Sequence, residues 1–296
     1  MVAVRSTHTT ALVALHAAVA LFGFAGLFGK WLVISPVAIV LGRTAIAAVA
    51  LGILRLRAPQ RARFDVRLIG NGIVLALHWL SFFAAIQVST VAVGLLGFAS
   101  FPLFTLFAER VFLKRRLRRR ELLTAVLVTA GLVMLVPELS LANPTVQGLA
   151  LGIVSGFTFA LLAVMNRRWI GSRSAMDIAF WQNCLAALAL LPFAWAAPWA
   201  IGDIGPREIA LLIVLGLFCT ALAHTLFISG LRSATAHTAS VIAALEPIYG
   251  IALALLFLGE VPSPRTIAGG ALIVAAAVLA TRRSHLASVG DLKTKI

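Results

Sequence analysis

The residues best able to do chemistry are a few ionisable side chains that lie inside long apolar segments. Glu246, Arg43 and His78 each lie in a segment of roughly twenty mostly apolar residues, the length that spans a lipid bilayer. A charge at the bilayer centre costs about 2.5–3.5 kcal/mol on the insertion scale, so such residues are rare and commonly functional. A carboxyl group can bind an ammonium group or exchange a proton, whereas a guanidinium can bind a carboxylate. These three positions are therefore the first candidates for a solute-binding site.

Glu246 and the proline that follows it form the strongest candidate. The predicted helix starts at Thr235, which places Glu246 about eleven residues, or roughly 17 Å, along the axis and near the membrane midplane. Pro247 removes the backbone donor that would otherwise bind the carbonyl of Ala243, so that carbonyl could face a ligand. Pro102 lies at the matching place in the first half and is a second predicted helix break. The alternative is a protonated or paired glutamate that only ties its helix to a neighbour.

Histidine and aromatic side chains form a second group of candidates. His78 and Trp79 lie near the middle of their helix, and Phe82 and Phe83 continue the same two faces one turn later. Such a wall suits a solute with an apolar side chain and a charged head group, because aromatic faces attract ammonium groups. Phe82 and Phe83 are equally explained as core or lipid-facing residues. Two further histidines are candidates for proton relays or for neutral hydrogen bonds between helices: His16 and His224.

Arg43 needs a partner, because a guanidinium does not lose its proton to escape burial. It could bind the carboxylate of a solute, but pairing with Glu246 or with backbone carbonyls explains it equally well. The matching region of the second half is polar where a lipid-facing segment would not be. Its residues are candidates for the wall of a solute cavity: Trp181, Gln182 and Asn183.

Composition independently assigns the chain to the membrane proteins. Its 296 residues are 61% hydrophobic and 12% charged, with a mean hydropathy of +1.03, whereas soluble domains average about 45–50% apolar and about 25% charged residues. The net charge of +15 does not indicate a nucleic-acid partner, because Lys and Arg sit in short clusters between apolar segments. Cys184 and Cys219 have no metal or disulfide spacing. The sequence shows no metal-ligand cluster, P-loop or nucleophile elbow, so we expect neither an enzyme nor a cofactor.

Apolar segments, charge clusters and helix breakers divide the chain into ten predicted helices of an all-α integral membrane protein. Proline marks several helix starts, where its missing N–H costs nothing. The predicted spans are Thr9–Lys30, Pro36–Leu54, Arg67–Val88, Val91–Phe112, Arg120–Val136, Thr145–Met165, Ala175–Ala196, Pro206–Leu231, Thr235–Leu258 and Pro264–Thr281.

The distribution of Lys and Arg predicts the orientation of these helices. With a cytoplasmic N-terminus, 21 of the 25 basic residues fall in cytoplasmic segments, three fall in outer segments, and Arg43 lies within a span. Cytoplasmic loops of membrane proteins carry such an excess of positive charge. We therefore expect both termini in the cytoplasm. The basic loop Lys114–Arg120 could also contact anionic lipid head groups.

The two halves of the chain resemble each other. Several pairs align when the chain is shifted by 145 residues: Ala76-Leu77 with Ala221-Leu222, Trp79 with His224, Phe82 with Phe227, Thr90 with Thr235, and Pro102 with Pro247. Because each repeat has five helices, an odd number, the second must cross the membrane in the opposite sense. Inverted repeats are common in secondary transporters, with the solute site near the midplane. We place the repeats at residues 1–140 and 141–296.

These features resemble the EamA-type branch of the drug/metabolite transporter superfamily. The resemblance rests on the two five-helix copies, on Arg43 in helix 2, on Glu246-Pro247 in helix 9 and on Gly259-Glu260 at its end, and it covers residues 9–281. Within the superfamily the chain is most similar to bacterial amino-acid exporters of the YddG type. One position departs from the repeat: Glu260 matches Arg115, which makes Glu260 a candidate structural end-cap rather than part of a symmetric mechanism.

The resemblance implies an inner-membrane exporter that moves amino acids or similar small amphiphilic metabolites by alternating access. Helices 1–4 and 6–9 would enclose the cavity. The expected partners are a small-molecule solute, membrane lipid and, as a coupling ion, protons, and nothing in the sequence requires more than one copy. Within transport, the alternative is a multidrug or lipid-linked efflux carrier. A membrane-embedded enzyme is disfavoured because Glu246 has no second carboxylate beside it at the midplane.

The predicted topology can be tested by cysteine labelling of intact cells. A cysteine placed in the Pro137–Pro144 loop should react with a membrane-impermeant maleimide, whereas Arg116→Cys should react only after the membrane is permeabilised. Labelling of Arg116→Cys from outside, with the Pro137–Pro144 loop protected, would show that the orientation is reversed.

Overall fold

A computed structural model describes residues 2–57, 63–105, 107, 119–136, 138, 140–167, 169, 172–196, 202–233, 242–243 and 245–281. All the regular secondary structure in these residues is helical. The predicted start of helix 9 at Thr235, most of the Lys114–Arg120 loop and the C-terminal tail from residue 282 lie outside them.

Each of the ten predicted spans contains a described helix. These helices are α1 (Val2–Trp31), α2 (Pro36–Leu56), α3 (Leu68–Val88), α4 (Val91–Phe98), α5 (Arg119–Leu135), α6 (Pro144–Arg167), α7 (Ala175–Ala196), α8, α9 (Glu246–Leu258) and α10 (Pro264–Thr281). Helix α8 is α-helical over Pro206–Gly216, π-helical over Leu217–Leu222 and α-helical again over Ala223–Ser233.

Six of these segments are long and apolar enough to cross a membrane, and four shorter apolar helices accompany them. The long ones run from 21 to 26 residues, which at 1.5 Å per residue covers about 30 Å of hydrocarbon. The shorter helices belong to α4, α5, α9 and α10. The predicted all-α, ten-helix membrane protein is therefore confirmed, although α1 begins at Val2 rather than at Thr9.

Two predicted helices are interrupted next to the prolines that the sequence marks as candidate helix breaks. The predicted span Val91–Phe112 breaks at Ala99 and Ser100, and helical structure resumes at residue 101. In the predicted span Thr235–Leu258, Leu245 lies in a turn and α9 begins at Glu246. Pro102 and Pro247 each occupy the second position of the new helical segment, where a proline needs no donor.

The interruption determines where Glu246 lies within its helix. The sequence predicted a place about eleven residues after a helix start at Thr235; that start lies outside the described residues, and Glu246 is the first residue of α9. The reason is local, since Pro247 cannot donate to the carbonyl four residues earlier and its ring crowds the preceding turn.

The helices pack in pairs that are preserved when the two halves are exchanged. Helix α3 packs on α6 and α8 packs on α1, which is the equivalent pair after a shift of five helices. Likewise α4 packs on α6 and α9 on α1, whereas α2 pairs with α7 and α5 with α10. This pattern brings α2, α3 and α8 together around the interior of the bundle.

Small residues allow the closest of these contacts. A Cβ atom built on Gly152 of α6 would lie 2.9 Å from the carbonyl oxygen of Gly94 in α4, and one on Gly156 would lie 2.7 Å from the carbonyl oxygen of Phe98. The i, i+4 glycines of α6 therefore serve helix packing.

Charged side chains tie the loops together at one end of the bundle. Lys30 Nζ donates to the carbonyl of Ser89 at 2.5 Å, and the Glu260 carboxylate accepts from the backbone N–H of Val91 at 2.9 Å. Glu260 thus caps the first turn of α4 in the other half, where an anion stabilises unpaired N–H groups. All these residues belong to connections predicted to lie on the same side of the membrane.

A cluster of charged side chains joins the helices at the opposite end of the bundle. The Asp177 carboxylate accepts from Arg55 Nε at 2.6 Å and from Arg173 Nη1 at 2.9 Å. Arg173 also donates to the carbonyl of Arg63 at 2.7 Å. The cluster joins the end of α2 to the start of α7, two regions that were predicted to face the cytoplasm.

Candidate functional site

Arg43 lies at the centre of the candidate site. Its side chain belongs to α2 and is fully buried, with an exposed fraction of 0%. Arg43 Nε donates to Thr220 Oγ1 at 2.9 Å, and Nη2 donates to the carbonyl of Cys219 at 3.1 Å. Arg43 and Glu246 form no ion pair within 4 Å in the described part of the chain. Of the partners that the sequence left open for Arg43, the structure shows a backbone carbonyl, that of Cys219.

The π-helical segment of α8 makes that carbonyl available. In a regular α-helix the N–H of Ala223 would bind the carbonyl of Cys219, but here it reaches back five residues to Phe218. The Cys219 carbonyl is therefore free to accept from Arg43. Thr220 completes the arrangement, because its hydroxyl donates to the carbonyl of Leu215 at 2.8 Å while it accepts from the guanidinium.

Trp79 and His224 meet beside Arg43. The guanidinium carbon of Arg43 lies 3.6 Å from the centre of the Trp79 ring, a close cation–π contact. The His224 ring stacks on Trp79 with centroids 5.8 Å apart and planes inclined by 18°. Both side chains are buried, with exposed fractions of 3% and 8%. The two positions that align in the repeat are thus in contact across the two halves.

Glu246 lies in the same interior at the start of α9. Its side chain is 4% exposed, and its backbone oxygen lies against Gly23 of α1. Gly23 and Gly250 let α1 and α9 approach closely, since a Cβ atom on Gly23 would come within 2.9 Å of the backbone nitrogen of Gly250. The interior therefore holds a guanidinium and a carboxyl group that do not neutralise each other by direct contact.

His78 is held by α6. Its Nδ1 lies 2.9 Å from Ser155 Oγ and 3.0 Å from the Ser155 carbonyl. The ring packs 4.7 Å from that of Trp79 and 5.3 Å from that of Phe159. His78 thus lies next to the Arg43 cluster, with its ring bound to a neighbouring helix.

The two predicted phenylalanines belong to the aromatic packing around the cluster. Phe82 and Phe83 are 1% and 0% exposed. Phe83 lies 5.2 Å from the guanidinium carbon of Arg43, and Phe82 packs edge-on against Trp79 and Phe98.

The remaining predicted wall residues lie elsewhere. Trp181 packs on Phe64 and lies 5.3 Å from Arg55, at the end that holds the Asp177 cluster. Gln182 is buried and donates to the side-chain oxygen of Asn166, which also accepts from Asn71 at 2.8 Å.

Asn183 and His16 are not among the residues that contact Arg43 in the described part of the chain. Asn183 is fully buried on α7 and donates to the carbonyl of Ala179 at 2.8 Å. His16 lies on an exposed face of α1.

Sequence reasoning missed the residues that hold the candidates in place. Cys219 was read only as a small apolar residue, and Thr220 was not considered. A usable signal was present, because Thr220 lies four residues before His224 and so shares its helix face. The polar partners Ser155 and Asn166 were also missed, because the sequence does not show which contacts a single polar residue in an apolar helix makes.

A separate cavity of about 240 Å³ lies near the loop end that carries Glu260. Its lining includes Thr90, Thr145, Ser263 and Arg265, and none of the predicted site residues. Within the described ranges, no group of three or more His, Cys, Asp or Glu side chains could hold a metal ion.

The family of the chain follows from its match to a known profile. The profile of the EamA-like transporter family matches residues 9–136 and again residues 146–282. The chain belongs to the EamA-like transporter family. The double match covers both halves of the bundle, and membership makes the chain a multi-pass membrane transporter rather than an enzyme.

Relatives of this EamA-family chain carry transporter names. An uncharacterized transporter of Archaeoglobus fulgidus is 29% identical over 229 residues, which is 74% of this chain and 78% of that protein. The pseudopaline exporter CntI of Pseudomonas aeruginosa is 28% identical over 220 residues, 73% of this chain and 74% of the exporter. An S-adenosylmethionine uptake transporter of Rickettsia conorii is 25% identical, over 69% of this chain and 67% of that protein.

A solved crystal structure shares the fold of this EamA-family chain. It is 20% identical and superposes with a TM-score of 0.67, covering 92% of this chain and 98% of the other. At this identity the likeness concerns the fold alone.

The role of Thr220 can be tested by removing its hydroxyl. Thr220→Val keeps the shape of the side chain but leaves Arg43 Nε without its acceptor, so we expect a loss of about 1.5–3 kcal/mol of stability, seen as a lower melting temperature in detergent. The matched control is Thr225→Val, which removes only a hydroxyl bonded to the Ala221 carbonyl of its own helix. Equal melting temperatures for the two variants would show that Thr220 does not hold Arg43.

Proposed function

We propose that this EamA-family protein is a secondary transporter that exports amino acids or similar small amphiphilic metabolites across a bacterial inner membrane. It works by alternating access between two inverted repeats, residues 1–140 and 141–296, with both termini in the cytoplasm. The observation that carries the proposal is the buried cluster of Arg43, Trp79, His224 and Glu246 where helices of the two halves meet.

This cluster suits a solute that carries both charge and apolar surface. A guanidinium and a carboxyl group lie in one interior without pairing directly, and they could bind opposite ends of a zwitterion. Aromatic rings surround them, because Trp79 contacts both Arg43 and His224, and His224 packs on Phe22. A greasy multidrug site would not require buried charges of both signs, which are costly inside a membrane.

Alternating access requires each end of the bundle to open in turn. The Glu260–Val91 contact closes one end and the Asp177 cluster closes the other. The breaks before Pro102 and Pro247 interrupt α4 and α9 and supply positions where backbone dihedrals can change. Helices α5 and α10 pack on each other and would support the eight helices that move.

The driving force must be a gradient, since the sequence contains no nucleotide-binding motif. Glu246 is the proposed proton carrier, because a buried carboxyl group that opens to each side in turn can take up and release a proton. His78 and His224 are the next candidates for this role.

Transport itself can be tested by counterflow in proteoliposomes. Labelled amino acids should enter vesicles preloaded with the same amino acid, with saturation and with competition by close analogues. In cells, overproduction should lower the internal amino-acid pool. This direct measurement of direction matters because one relative is named an exporter and another an uptake transporter. Transport of structurally unrelated apolar cations, without amino-acid competition, would contradict the proposed substrate class.

The coupling role of Glu246 predicts a split between two assays. Glu246→Gln, which cannot titrate, should abolish accumulation driven by a pH gradient and leave counterflow largely intact. The control is Glu208→Gln, since Glu208 pairs with Arg207 outside the interior and should retain both activities. Loss of both activities in Glu246→Gln would indicate that Glu246 binds the solute ammonium group. Retention of both would show that it is structural.

A further inference from the structure

Two buried hydrogen-bond donors in the central cluster have no acceptor. Among the residues that the structure describes, Arg43 Nη1 and Trp79 Nε1 are both enclosed and lack a hydrogen-bond partner. A guanidinium has only donors and an indole nitrogen is only a donor, so neither can be satisfied by another donor. Buried polar groups in folded proteins are nearly always hydrogen-bonded, and each exception needs an explanation.

The other two nitrogens of the Arg43 guanidinium are hydrogen-bonded to the protein, so Nη1 is the exception that needs an explanation. Nε and Nη2 are bound to Thr220 and to the Cys219 carbonyl. The Cys219 carbonyl belongs to the π-helical segment of α8, and π-helical turns are rare in proteins and occur frequently at functional sites. Gly216 permits the close approach of α8 to α2, because a Cβ atom there would lie 2.7 Å from that of Ile46. The fold thus fixes one side of the guanidinium and leaves the other unpaired.

The two free donors belong to side chains that are in direct contact. The guanidinium carbon of Arg43 lies 3.6 Å from the centre of the Trp79 ring. The two oxygens of one carboxylate could therefore accept from Nη1 and from Nε1. The other unpartnered indole nitrogen among the described residues, Trp181 Nε1, lies beside Arg55 at the end of the bundle that carries the Asp177 cluster and takes no part in this arrangement.

The charge of the site points to an anionic ligand. Arg43 is fully buried, and Glu246 is not in direct contact with it. His78 and His224, the other titratable groups nearby, can only add positive charge. A buried cation without a bonded counter-charge is costly, and a carboxylate that accepts from both free donors would neutralise it.

We propose that Arg43 Nη1 and Trp79 Nε1 form a carboxylate subsite, so that the solutes of this transporter must carry a free carboxylate group. The proposal deepens the proposed function and rests on it, because it assigns one end of the transported molecule to one end of the cluster. Amides and esters of the same solute are rejected, since they offer no anion and leave the donors unpaired.

The test uses the purified full-length protein in detergent. Its melting temperature is measured with each of the twenty common L-amino acids, and then with the amide of each one that stabilises it. The free acids should stabilise the protein, and the matching amides should bind about 10- to 100-fold more weakly, the range expected when a hydrogen-bonded charge is lost. Counterflow competition in proteoliposomes should show the same order.

Trp79→Phe is the decisive variant, because it keeps an aromatic ring under Arg43 and removes only the Nε1 donor. We expect Trp79→Phe to reduce, by about tenfold, the ratio of the affinity for a free amino acid to the affinity for its amide. Trp181→Phe removes the other unpartnered indole donor and should leave the preference unchanged. Arg43→Gln, if it folds, should abolish the preference.

The outcomes separate the subsite from the transport function. If amino acids are transported but their amides compete equally well, or if Trp79→Phe keeps the full preference, the carboxylate subsite is wrong and amino-acid transport stands. If only amines without a carboxylate stabilise the protein and undergo counterflow, both the subsite and the amino-acid assignment are overturned. If no compound with a carboxylate stabilises the protein, the subsite is likewise overturned.

Discussion

The burial of one guanidinium organises the interior of this transporter. Arg43 is fully enclosed among membrane helices, where a charge is tolerated only if protein groups replace its water. The protein meets this demand with groups from two neighbouring helices. The π-helical segment of α8 supplies the Cys219 carbonyl and the Thr220 hydroxyl as acceptors, and the Trp79 ring of α3 lies against the cation. These groups take the place of the water that would otherwise solvate the Arg43 guanidinium.

The repeat is symmetric in its packing and asymmetric in its chemistry. Helix pairs are preserved when the halves are exchanged, and Trp79 contacts its repeat counterpart His224. The charged residues have no such copies. A shift of 145 residues takes Glu246 to Phe101, and Glu260 to Arg115. Glu260 caps α4 of the other half, so a residue present in one repeat stabilises an element of the other. Within the described residues, a symmetric scaffold thus carries the unlike groups Arg43 and Glu246 in its interior.

The two ends of the bundle differ in how they are closed. At one end a single carboxylate and Lys30 bond mainly to backbone groups, whereas at the other end Asp177 binds two arginines. A bond to a backbone group breaks when the whole helix moves. An ion pair between two side chains depends on the positions of the helix ends and loops that carry them. The interruptions of α4 and α9 lie beside Phe98, which packs on His78, and beside Glu246, so both helix breaks are near the buried cluster.

The sequence by itself determined the class, the ten helices and their division into similar halves, because hydropathy over about twenty residues and the placement of prolines are local properties. It also singled out Arg43, Trp79, His224 and Glu246, since polar groups in apolar segments stand out. Only the tertiary structure decided which of them meet. The contact between Arg43 and the π-helical segment of α8 is a tertiary one, and Trp181 and Gln182 have other neighbours because α7 presents them to different helices. Such contacts depend on helix rotation and depth, which a one-dimensional pattern of apolar residues does not specify.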